Sequence, residues 1–257
     1  MGHGGTLDPD ATGVLLVGLG RATRLLRFLA ELPKSYEGEL VLGVATSTLD
    51  AAGEVTGTWD MADVGLEEVR AAAAGFVGDI EQVPPMVSAV KVQGRRLHAL
   101  ARAGVEVERA PRRVTVHRFD VGPTAEPGVF RISVDCSSGT YVRALAADLG
   151  AALGGGAHLR ALRRTAVGPF SEDEARPLDR VGPEDVLPPV EALRGRPRVT
   201  VDDPALAGAV AHGEVLDRDV LGMVGEGPCA VVDPAGRLLA VYEPYGDGRT
   251  KPAVVLA

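Results

Sequence analysis

The sequence predicts an α+β protein of two domains, in which a mixed, largely antiparallel sheet with flanking helices precedes a small β-rich domain. Residues 1–165 alternate short apolar runs typical of strands with amphipathic helical patterns. Five prolines between positions 177 and 197 then indicate a linker. Short strand patterns separated by glycine-rich turns occupy residues 199–257. The predicted domains are therefore 1–192 and 193–257.

The composition is that of a globular chain with a substantial core. Of the 257 residues, 46% are hydrophobic and 24% are charged, which suits one large domain and one small domain. The chain has no run of about 18 apolar residues and no basic, apolar leader, so we expect no membrane span and a cytoplasmic location. Cys136 and Cys229 lie far apart without CxxC spacing, which favours a reduced protein without a zinc site.

Charge is distributed unevenly along the chain. The formal net charge is −8, which by itself disfavours nucleic acid as a partner. Residues 84–164, however, carry 13 Lys/Arg and 6 Asp/Glu, and this basic third lies between two acidic ones. We expect such a pattern if one face of the protein binds phosphates. A solvated charged surface is the alternative interpretation.

The first candidate site lies in the segment GHGGTLDPDATGVL at residues 2–15. Glycine lets another chain segment approach closely, and Pro9 favours an extended conformation at Asp8. The pattern predicts a rigid loop that presents the Asp8 carboxylate and the His3 imidazole at the edge of a packed core. An ordinary Asp-Pro turn is the alternative on local grounds.

The periodicity before residue 80 predicts several short elements. They are a helix over 20–29, a strand over 37–44, a polar loop at 46–53 and a helix over 66–76. Arg24 lies on the basic edge of the first helix. Tyr36 starts the strand, and a tyrosine at a strand end is usually a core or rim aromatic.

The basic third of the chain begins near residue 82 and is interpreted as a loop followed by a polar surface helix or by a phosphate-binding segment. The elements predicted after it are strands at 114–119, 129–135 and 158–165, and a helix from Tyr141 to Leu153. The sequence Ser137-Ser138-Gly139-Thr140 is a helix-start signal. Gly154-Gly155-Gly156 is expected to end that helix.

Three motifs together resemble a known family. They are GHGGTLDPDATGVLLVGLGRATR at residues 2–24, CSSGTYVR at 136–143 and the strand HLRALRRT at 158–165. These motifs resemble the signatures of the TruB-type tRNA pseudouridine synthases, which isomerise one uridine in the T loop of tRNA. The fold implied by this resemblance is the pseudouridine synthase fold.

The resemblance implies roles for four residues around the reacting uridine. Asp8 matches the catalytic nucleophile of the family, and Arg143 matches the arginine that pairs with that carboxylate. Tyr36 matches the tyrosine that stacks on the target base. Leu162 matches the apolar residue of the uracil pocket, although a core leucine is the ordinary interpretation of any leucine.

Further positions are implied to bind the substrate. His3 is expected to occupy the space left when the base leaves the loop. Arg24, Lys91 and Tyr141 are expected to contact the RNA. The segment at about 84–112 resembles the mobile RNA-gripping insertion of the family.

The two ends of the chain are also compared with the family. Residues 193–257 resemble, more loosely, a small PUA-type RNA-binding barrel. Family members carry a few dozen residues before the glycine-rich loop, whereas Met1 lies directly before it here. Either the start is misassigned, or the chain is a fragment or a genuine truncation; if the segment is missing, we expect an exposed edge of the central sheet and lower stability or activity.

The implied function is the isomerisation of uridine 55 in the T loop of tRNA to pseudouridine. Attack of the Asp8 carboxylate on the sugar and elimination to a glycal both use this residue, and both stay open. The expected partner is the T arm of tRNA, bound by a monomer that needs no metal, organic cofactor, membrane or obligate protein partner. The alternatives are a non-catalytic tRNA-binding or RNA-folding protein of the same fold, and a synthase that acts on sites presented by a guide RNA.

Overall fold

The structure is a computed structural model that describes residues 1–88, 91–92, 95–96 and 107–256. The chain divides into two compact units. The large unit consists of Thr6–Val14 and Leu32–Asp173, and the small unit consists of Met1–Gly5, Leu15–Glu31 and Glu174–Ala257.

The helices of the described chain are short. The α-helices are α1 (Leu26–Ala30), α2 (Leu66–Ala74), α3 (Val142–Ala152), α4 (Pro204–His212) and α5 (Arg218–Leu221). The 3-10 helices are Gly20–Leu25, Glu172–Glu174, Leu178–Arg180, Pro183–Asp185 and Pro189–Leu193. No helix in the described ranges is long and apolar enough to cross a bilayer.

The strands differ widely in length, from two residues to twelve. Those before residue 100 are β1 (Gly2–His3), β2 (Thr12–Gly13), β3 (Val17–Gly18), β4 (Lys34–Leu42), β5 (Val44–Thr46), β6 (Val55–Thr58), β7 (Gly78–Gln82), β8 (Lys91–Val92) and β9 (Arg95–Arg96). Those after it are β10 (Arg112–Pro123), β11 (Val129–Cys136), β12 (Ala157–Val167), β13 (Phe170–Ser171), β14 (Arg198–Thr200), β15 (Leu216–Asp217), β16 (Cys229–Val232), β17 (Leu238–Pro244) and β18 (Arg249–Val255).

The large unit is built around one seven-stranded sheet. Its strands follow the order β13-β12-β4-β11-β10-β7, and all these neighbours are antiparallel. The short strand β2 joins β12 in parallel. The apolar face of α3 packs with strand side chains in one core that includes Leu40, Ile132, Leu145 and Leu149. Because this core is fixed, the strand ends and the loops beside them are held in place.

The small unit contains a five-stranded mixed sheet in the order β14-β16-β17-β18-β15. Strand β14 pairs with β16 in parallel, and the other neighbours are antiparallel. Leu25 and Phe28 pack in one core with Val190, Leu193 and Val241. Residues from an early segment and from the last third of the chain therefore share this core.

The compact units and the predicted domains divide the chain differently. The small unit takes in residues 15–31 and 174–192, both of which were assigned to the predicted domain 1–192. Local composition cannot predict this division, because the packing that defines the small unit joins apolar residues that are far apart in the sequence. The boundary at 192/193 stays a prediction.

Several predicted elements are confirmed, with shifted ends. Helix α2 and the strands β10, β11 and β12 occupy the expected regions, and Leu25, Phe28 and Leu29 are buried as the periodicity of 20–29 predicts. The first half of that helix is nevertheless 3-10. The strand predicted over 37–44, with Tyr36 at its start, is confirmed with shifted ends: β4 begins two residues earlier at Lys34, and the chain kinks after Leu42 at Gly43.

The predicted helix start is confirmed, because α3 begins at Val142, although without a side-chain cap. Tyr141 is the N-cap of α3 and no side chain caps it, while the Thr140 hydroxyl donates to Ser137 O. Strand β7 and helix α4 were not predicted at all. Helix α4 has clear local signals that explain it, because the Asp203 carboxylate accepts from Ala205 N at 3.0 Å and Pro204 opens the first turn.

Candidate active site

Asp8 begins a tight turn in the large unit. Ala11 N donates to Asp8 O at 3.0 Å, and Pro9 occupies the second position of the turn, where its fixed φ is favourable. The chain then enters β2, where Gly13 adopts a φ of +100°. A Cβ at Gly13 would collide with Arg164 O, so only glycine permits this close pairing with β12. The Asp8 turn is thereby attached to the central sheet.

The guanidinium of Arg143 lies against this turn. Its Nη2 atom is 2.7 Å from Asp8 Oδ1 and also donates to Val87 O at 2.9 Å. Its Nη1 atom donates to Thr48 O at 2.8 Å and lies 3.2 Å from Asp50 Oδ2. The Arg143 side chain is only 3% exposed. A buried guanidinium held by four oxygens presents a fixed positive charge to the Asp8 carboxylate.

Asp50 reaches Arg143 through a strained turn. Leu49 has a φ of +64°, the single positive value that a non-glycine residue shows in the described ranges. The turn is held on β12 because Leu159 N donates to Leu49 O at 3.1 Å and Ala51 N donates to Leu159 O at 3.0 Å. The Thr48 hydroxyl donates to Asp50 Oδ1. Strain retained in this way is typical of a functional site.

An open cleft of about 390 Å³, including space open to solvent, lies beside these charges. Its lining includes Asp8, Asp50, Arg143, Leu159 and Leu162. The Asp8 side chain is 36% exposed, so a substrate can reach the carboxylate. The structure thus brings three of the predicted site residues, Asp8, Arg143 and Leu162, to one cleft.

Tyr36 is paired with a second buried arginine. It lies on β4 directly opposite Arg164 of β12, and the Arg164 guanidinium donates a hydrogen bond to the phenol. Arg164 is 1% exposed, and its Nε donates to Val14 O at 2.8 Å. Burial raises the pKa of Tyr36, with a further contribution from Cys136, while Arg164 opposes the rise. The phenol is therefore neutral at physiological pH.

Two buried groups lie close to Tyr36. Burial, reinforced by the charge of Arg164, lowers the pKa of Lys34 to about 8. The Lys34 ammonium donates to Leu32 O at 2.6 Å. Burial raises the pKa of Cys136 to about 11, and its thiol donates to Lys34 O. Neither cysteine forms a disulfide, as the spacing predicts.

Tyr141 and Lys91 are two further residues that were predicted to contact the RNA. The backbone of Tyr141 is bound by the Gln82 side chain, with Tyr141 N donating to Oε1 at 2.7 Å and Nε2 donating to Tyr141 O at 3.1 Å. Lys91 lies in the small hairpin formed by β8 and β9. Residues 89–90, 93–94 and 97–106 of the predicted RNA-gripping insertion at about 84–112 lie outside the described residues, and the role of the insertion stays a prediction.

His3 and Arg24 belong to the small unit. His3 pairs with Val17 in the two-stranded sheet formed by β1 and β3, and its side chain is exposed. Arg24 is exposed, and its Nη1 donates to Val255 O at 2.6 Å. Arg24 therefore ties the 3-10 helix to β18, a role that its position on a basic helix edge did not predict.

Three residues of the site were not among the predicted ones. Asp50 belongs to a polar loop that the sequence identified without assigning it a role. Arg164 was counted as part of a basic run, although side chains two apart on a strand share a face, and Leu162 therefore indicates that Arg164 turns inward. Gln82 carries no sequence signal that separates it from any strand-end glutamine.

No group of three or more His, Cys, Asp or Glu side chains suited to hold a metal ion occurs in the part of the chain that the structure describes. The charged groups that line the cleft are instead the carboxylates of Asp8, Asp10 and Asp50 and the guanidiniums of Arg143 and Arg160. Such a set can orient a carboxylate that attacks or accepts a proton.

Comparison with protein families identifies the family of the chain. Residues 1–142 match the model of the TruB family pseudouridylate synthase N-terminal domain, and residues 143–188 match that of the tRNA pseudouridylate synthase B C-terminal domain. The chain belongs to the TruB family. Membership identifies it as a pseudouridine synthase and confirms the predicted fold class.

Individual proteins agree with the TruB assignment. The chain is 45% identical to the tRNA pseudouridine synthase B of Rhodococcus jostii, over 99% of this chain and 84% of that protein. It is 47% identical to the protein of that name from Streptomyces coelicolor, over 99% and 87%. A solved Cbf5-Nop10-Gar1 complex contains a chain that is 27% identical, with a TM-score of 0.73 over 100% of this chain and 75% of that one.

Another solved chain of similar fold comes from an H/ACA RNP bound to a substrate RNA containing 2'-deoxyuridine. That chain is 26% identical and has a TM-score of 0.67, over 94% of this chain and 68% of that one. The fold thus extends to relatives whose sequences differ at nearly three positions in four.

Proposed function

We propose that this chain converts uridine 55 of the tRNA T loop to pseudouridine, with Asp8 as the nucleophile. The observation that carries the proposal is the Asp8–Arg143 pair, in which a partly exposed carboxylate is held by a buried guanidinium at the cleft. Relatives at 45–47% identity that are named tRNA pseudouridine synthase B support tRNA as the substrate. The motif at residues 2–24 supports the T-loop uridine as the target.

The reaction breaks the bond between C1' and N1 and forms a bond between C1' and C5 of the same uracil. In one route an Asp8 oxygen bonds to C1' as N1 leaves with the electron pair, and this ester is displaced when C5 attacks. In the other route Asp8 takes the C2' proton as N1 leaves with the electron pair, which gives a glycal; C5 then bonds to C1' of the glycal and the proton returns to C2'. In both, C5 loses its proton and N1 gains one, so no external reactant is consumed.

The residues around Asp8 have separate tasks in this proposal. Arg143 pairs with the carboxylate and orients it at the cleft. Tyr36 offers a flat ring to the uracil, and its neutral phenol can donate a hydrogen bond to the base or relay the proton that leaves C5. Leu162 excludes water from the base. The uridine must leave the loop stack to reach Asp8.

His3, Arg24, Lys91 and Tyr141 are proposed to contact the RNA. The basic balance of residues 84–164 supports a salt-sensitive phosphate contact on that part of the chain. A small PUA-like domain, a cytoplasmic location and a monomeric state are parts of the same proposal.

A minimal substrate tests this function. The purified chain would be incubated with an unmodified T-arm stem-loop without added metal or cofactor. Pseudouridine would then be mapped by carbodiimide adduct formation and primer extension. We expect one modified loop uridine and no product from a stem-loop in which that uridine is replaced by cytidine. Modification at another uridine, or none, would overturn the proposed target.

The same experiment separates the alternative functions. A non-catalytic RNA-binding protein would retain the stem-loop on a filter without modifying it. A synthase that needs a guide RNA would modify the uridine only when a guide presents it. The second alternative draws on structural relatives found in a Cbf5-Nop10-Gar1 complex. The higher identity to the proteins named tRNA pseudouridine synthase B favours activity on the stem-loop alone.

A further inference from the structure

The oxygen and the nitrogen of the Gln82 side-chain amide both form hydrogen bonds with the backbone of one residue, Tyr141. Gln82 ends β7 and is 2% exposed. Its Oε1 accepts from Tyr141 N at 2.7 Å, and its Nε2 donates to Tyr141 O at 3.1 Å. These two hydrogen bonds resemble the pair that facing residues exchange in an antiparallel sheet. They therefore fix the distance of the Tyr141 peptide groups from Gln82 and the orientation of those groups.

Tyr141 directly precedes the helical turn that carries Arg143. It is the N-cap of α3, in an extended conformation with a φ of −102° and a ψ of 105°, and no side chain caps it. Arg143 is the second residue of that helix. The orientation of the first helical turn, and hence of the guanidinium, therefore depends on how Tyr141 is held.

The segment that follows Gln82 also reaches Arg143. Further along that segment, Val87 O accepts from Arg143 Nη2 at 2.9 Å, and this same nitrogen lies 2.7 Å from Asp8 Oδ1. Gln82 thus connects the two segments that hold one nitrogen of the guanidinium, namely the start of α3 and the chain from β7 to Val87.

We propose that Gln82 is a positioning residue that sets the contact between Arg143 and Asp8. The inference rests on the proposed function for its effect on catalysis, but its structural part concerns this contact alone. Gln82 does not line the cleft beside Asp8. Its effect must therefore pass through the Tyr141 backbone to Arg143, and RNA binding should change little.

The test compares Gln82→Met with Val69→Ala in the full chain. Methionine keeps the length and packing of glutamine but leaves the Tyr141 N–H and C=O without their side-chain partners. Val69 is fully buried in the core of the same unit and its side chain has no polar atom, so its truncation controls for lost stability. Melting temperature, RNA affinity and single-turnover rate at saturating enzyme would be measured for each.

We expect Gln82→Met to lower the single-turnover rate at least about tenfold while the RNA dissociation constant changes less than about threefold. Val69→Ala should keep the rate within about twofold at a comparable loss of melting temperature. On an Arg143→Lys background, Gln82→Met should cost less than about threefold, because the two changes act on one contact. An equal loss on both backgrounds, or an unaltered rate, would overturn the proposal.

A second variant covers the case in which Gln82→Met does not fold. Glutamate at this position can reproduce both hydrogen bonds only when its carboxyl is protonated. The rate of Gln82→Glu relative to wild type should therefore rise as the pH is lowered from about 8 to about 6. A ratio that does not change with pH would contradict the role of the amide.

Crystal structures of the variants separate this inference from the proposed function. If wild type makes no pseudouridine, the proposed function fails, and the Arg143–Asp8 distance still tests Gln82. In Gln82→Met, or in Gln82→Glu with its carboxylate ionised, we expect the contact of 2.7 Å to be lost, whereas Val69→Ala should retain it. An unchanged contact would refute the positioning role.

Discussion

Arg143 Nη2 and Asp8 Oδ1 lie 2.7 Å apart although the two residues are 135 positions apart in the sequence. Each partner is held by its own backbone anchor. The segment that follows Asp8 is bound to β12, with Val14 N donating to Arg164 O at 2.8 Å. Arg143 is bound through the first turn of α3. Because both anchors belong to one sheet-based core, the charge pair is preorganised before substrate arrives.

Replacing Asp8 by asparagine tests the nucleophile directly. The asparagine side chain keeps the size of the aspartate but is neither a competent nucleophile nor a base, so pseudouridine formation should fall at least about 1000-fold. RNA affinity should stay within about threefold, since the amide oxygen can still accept from Arg143. Primer extension and filter binding would measure the two quantities. Retained product would remove Asp8 from the chemistry.

Replacing Arg143 by lysine tests the guanidinium. A lysine ammonium cannot reach four oxygens in the planar arrangement that Arg143 makes with Asp8, Asp50, Thr48 and Val87. The single-turnover rate should fall about 100-fold to 1000-fold, the usual cost of losing one well-placed donor in a reacting site.

Arg163→Lys is the matched control for that change. Arg163 lies on β12, is exposed and pairs with Glu172 at the surface. An exposed ion pair contributes at most about 1 kcal/mol, so the rate of Arg163→Lys should stay within about threefold of wild type. If both variants lost activity equally, a specific role for Arg143 would be contradicted.

Much of the fold could be predicted because its signals are local. The apolar spacing of α3 and the glycine after it mark that helix in any context. Strand β7 was missed because it is short and its sequence, GDIEQ, offers little apolar alternation. The shared core of Leu25 and Val190 could not be predicted, since long-range packing depends on how the elements meet in three dimensions.

The site was predictable only where a motif carried it. The Asp-Pro step and the CSSGTYVR motif identified Asp8 and Arg143, and the structure brings the two side chains into contact. Asp50 joins them because a positive φ at Leu49 turns its carboxylate toward Arg143, and leucine gives no sign of such a conformation. Gln82 acts through the backbone N–H and C=O groups of Tyr141. Because these groups are the same in nearly every residue, the sequence gives no sign of the contact.

Gly13 is expected to be intolerant of any side chain. Alanine there would combine a φ of +100° with a Cβ in collision with Arg164 O. Because Arg164 O is a backbone atom, it cannot move away without distorting the strand. Gly13→Ala should lower the free energy of unfolding by about 2–4 kcal/mol and impair activity, because β2 anchors the Asp8 turn. Urea denaturation and single-turnover kinetics would measure both.

Gly139→Ala separates strain from collision in that experiment. Gly139 also has a positive φ, +85°, but a Cβ there would meet nothing within 4 Å. Its replacement should cost only about 1 kcal/mol, the strain of the dihedral alone. Equal losses for the two variants would mean that the contact with Arg164 O is unimportant.

Lys34 should give the stability of the protein a specific pH dependence. Burial and the Arg164 charge lower its folded pKa to about 8, while the unfolded value is near 10.5. Between these values the unfolded chain binds more protons, so the free energy of unfolding rises with pH, and the Lys34 penalty is fully present below pH 8. The Lys34 penalty to the free energy of unfolding is at most about 3 kcal/mol, because each pKa unit corresponds to about 1.36 kcal/mol.

Urea denaturation of wild type and Lys34→Met at several pH values between about 7 and 10 isolates this contribution. Methionine fills a similar volume without a charge, so the other titrating groups cancel in the difference between the two proteins. The stability of wild type relative to Lys34→Met should increase steadily above pH 8. Parallel curves would show that the Lys34 ammonium is not desolvated in the folded state, and the buried pairing with Leu32 O would then need revision.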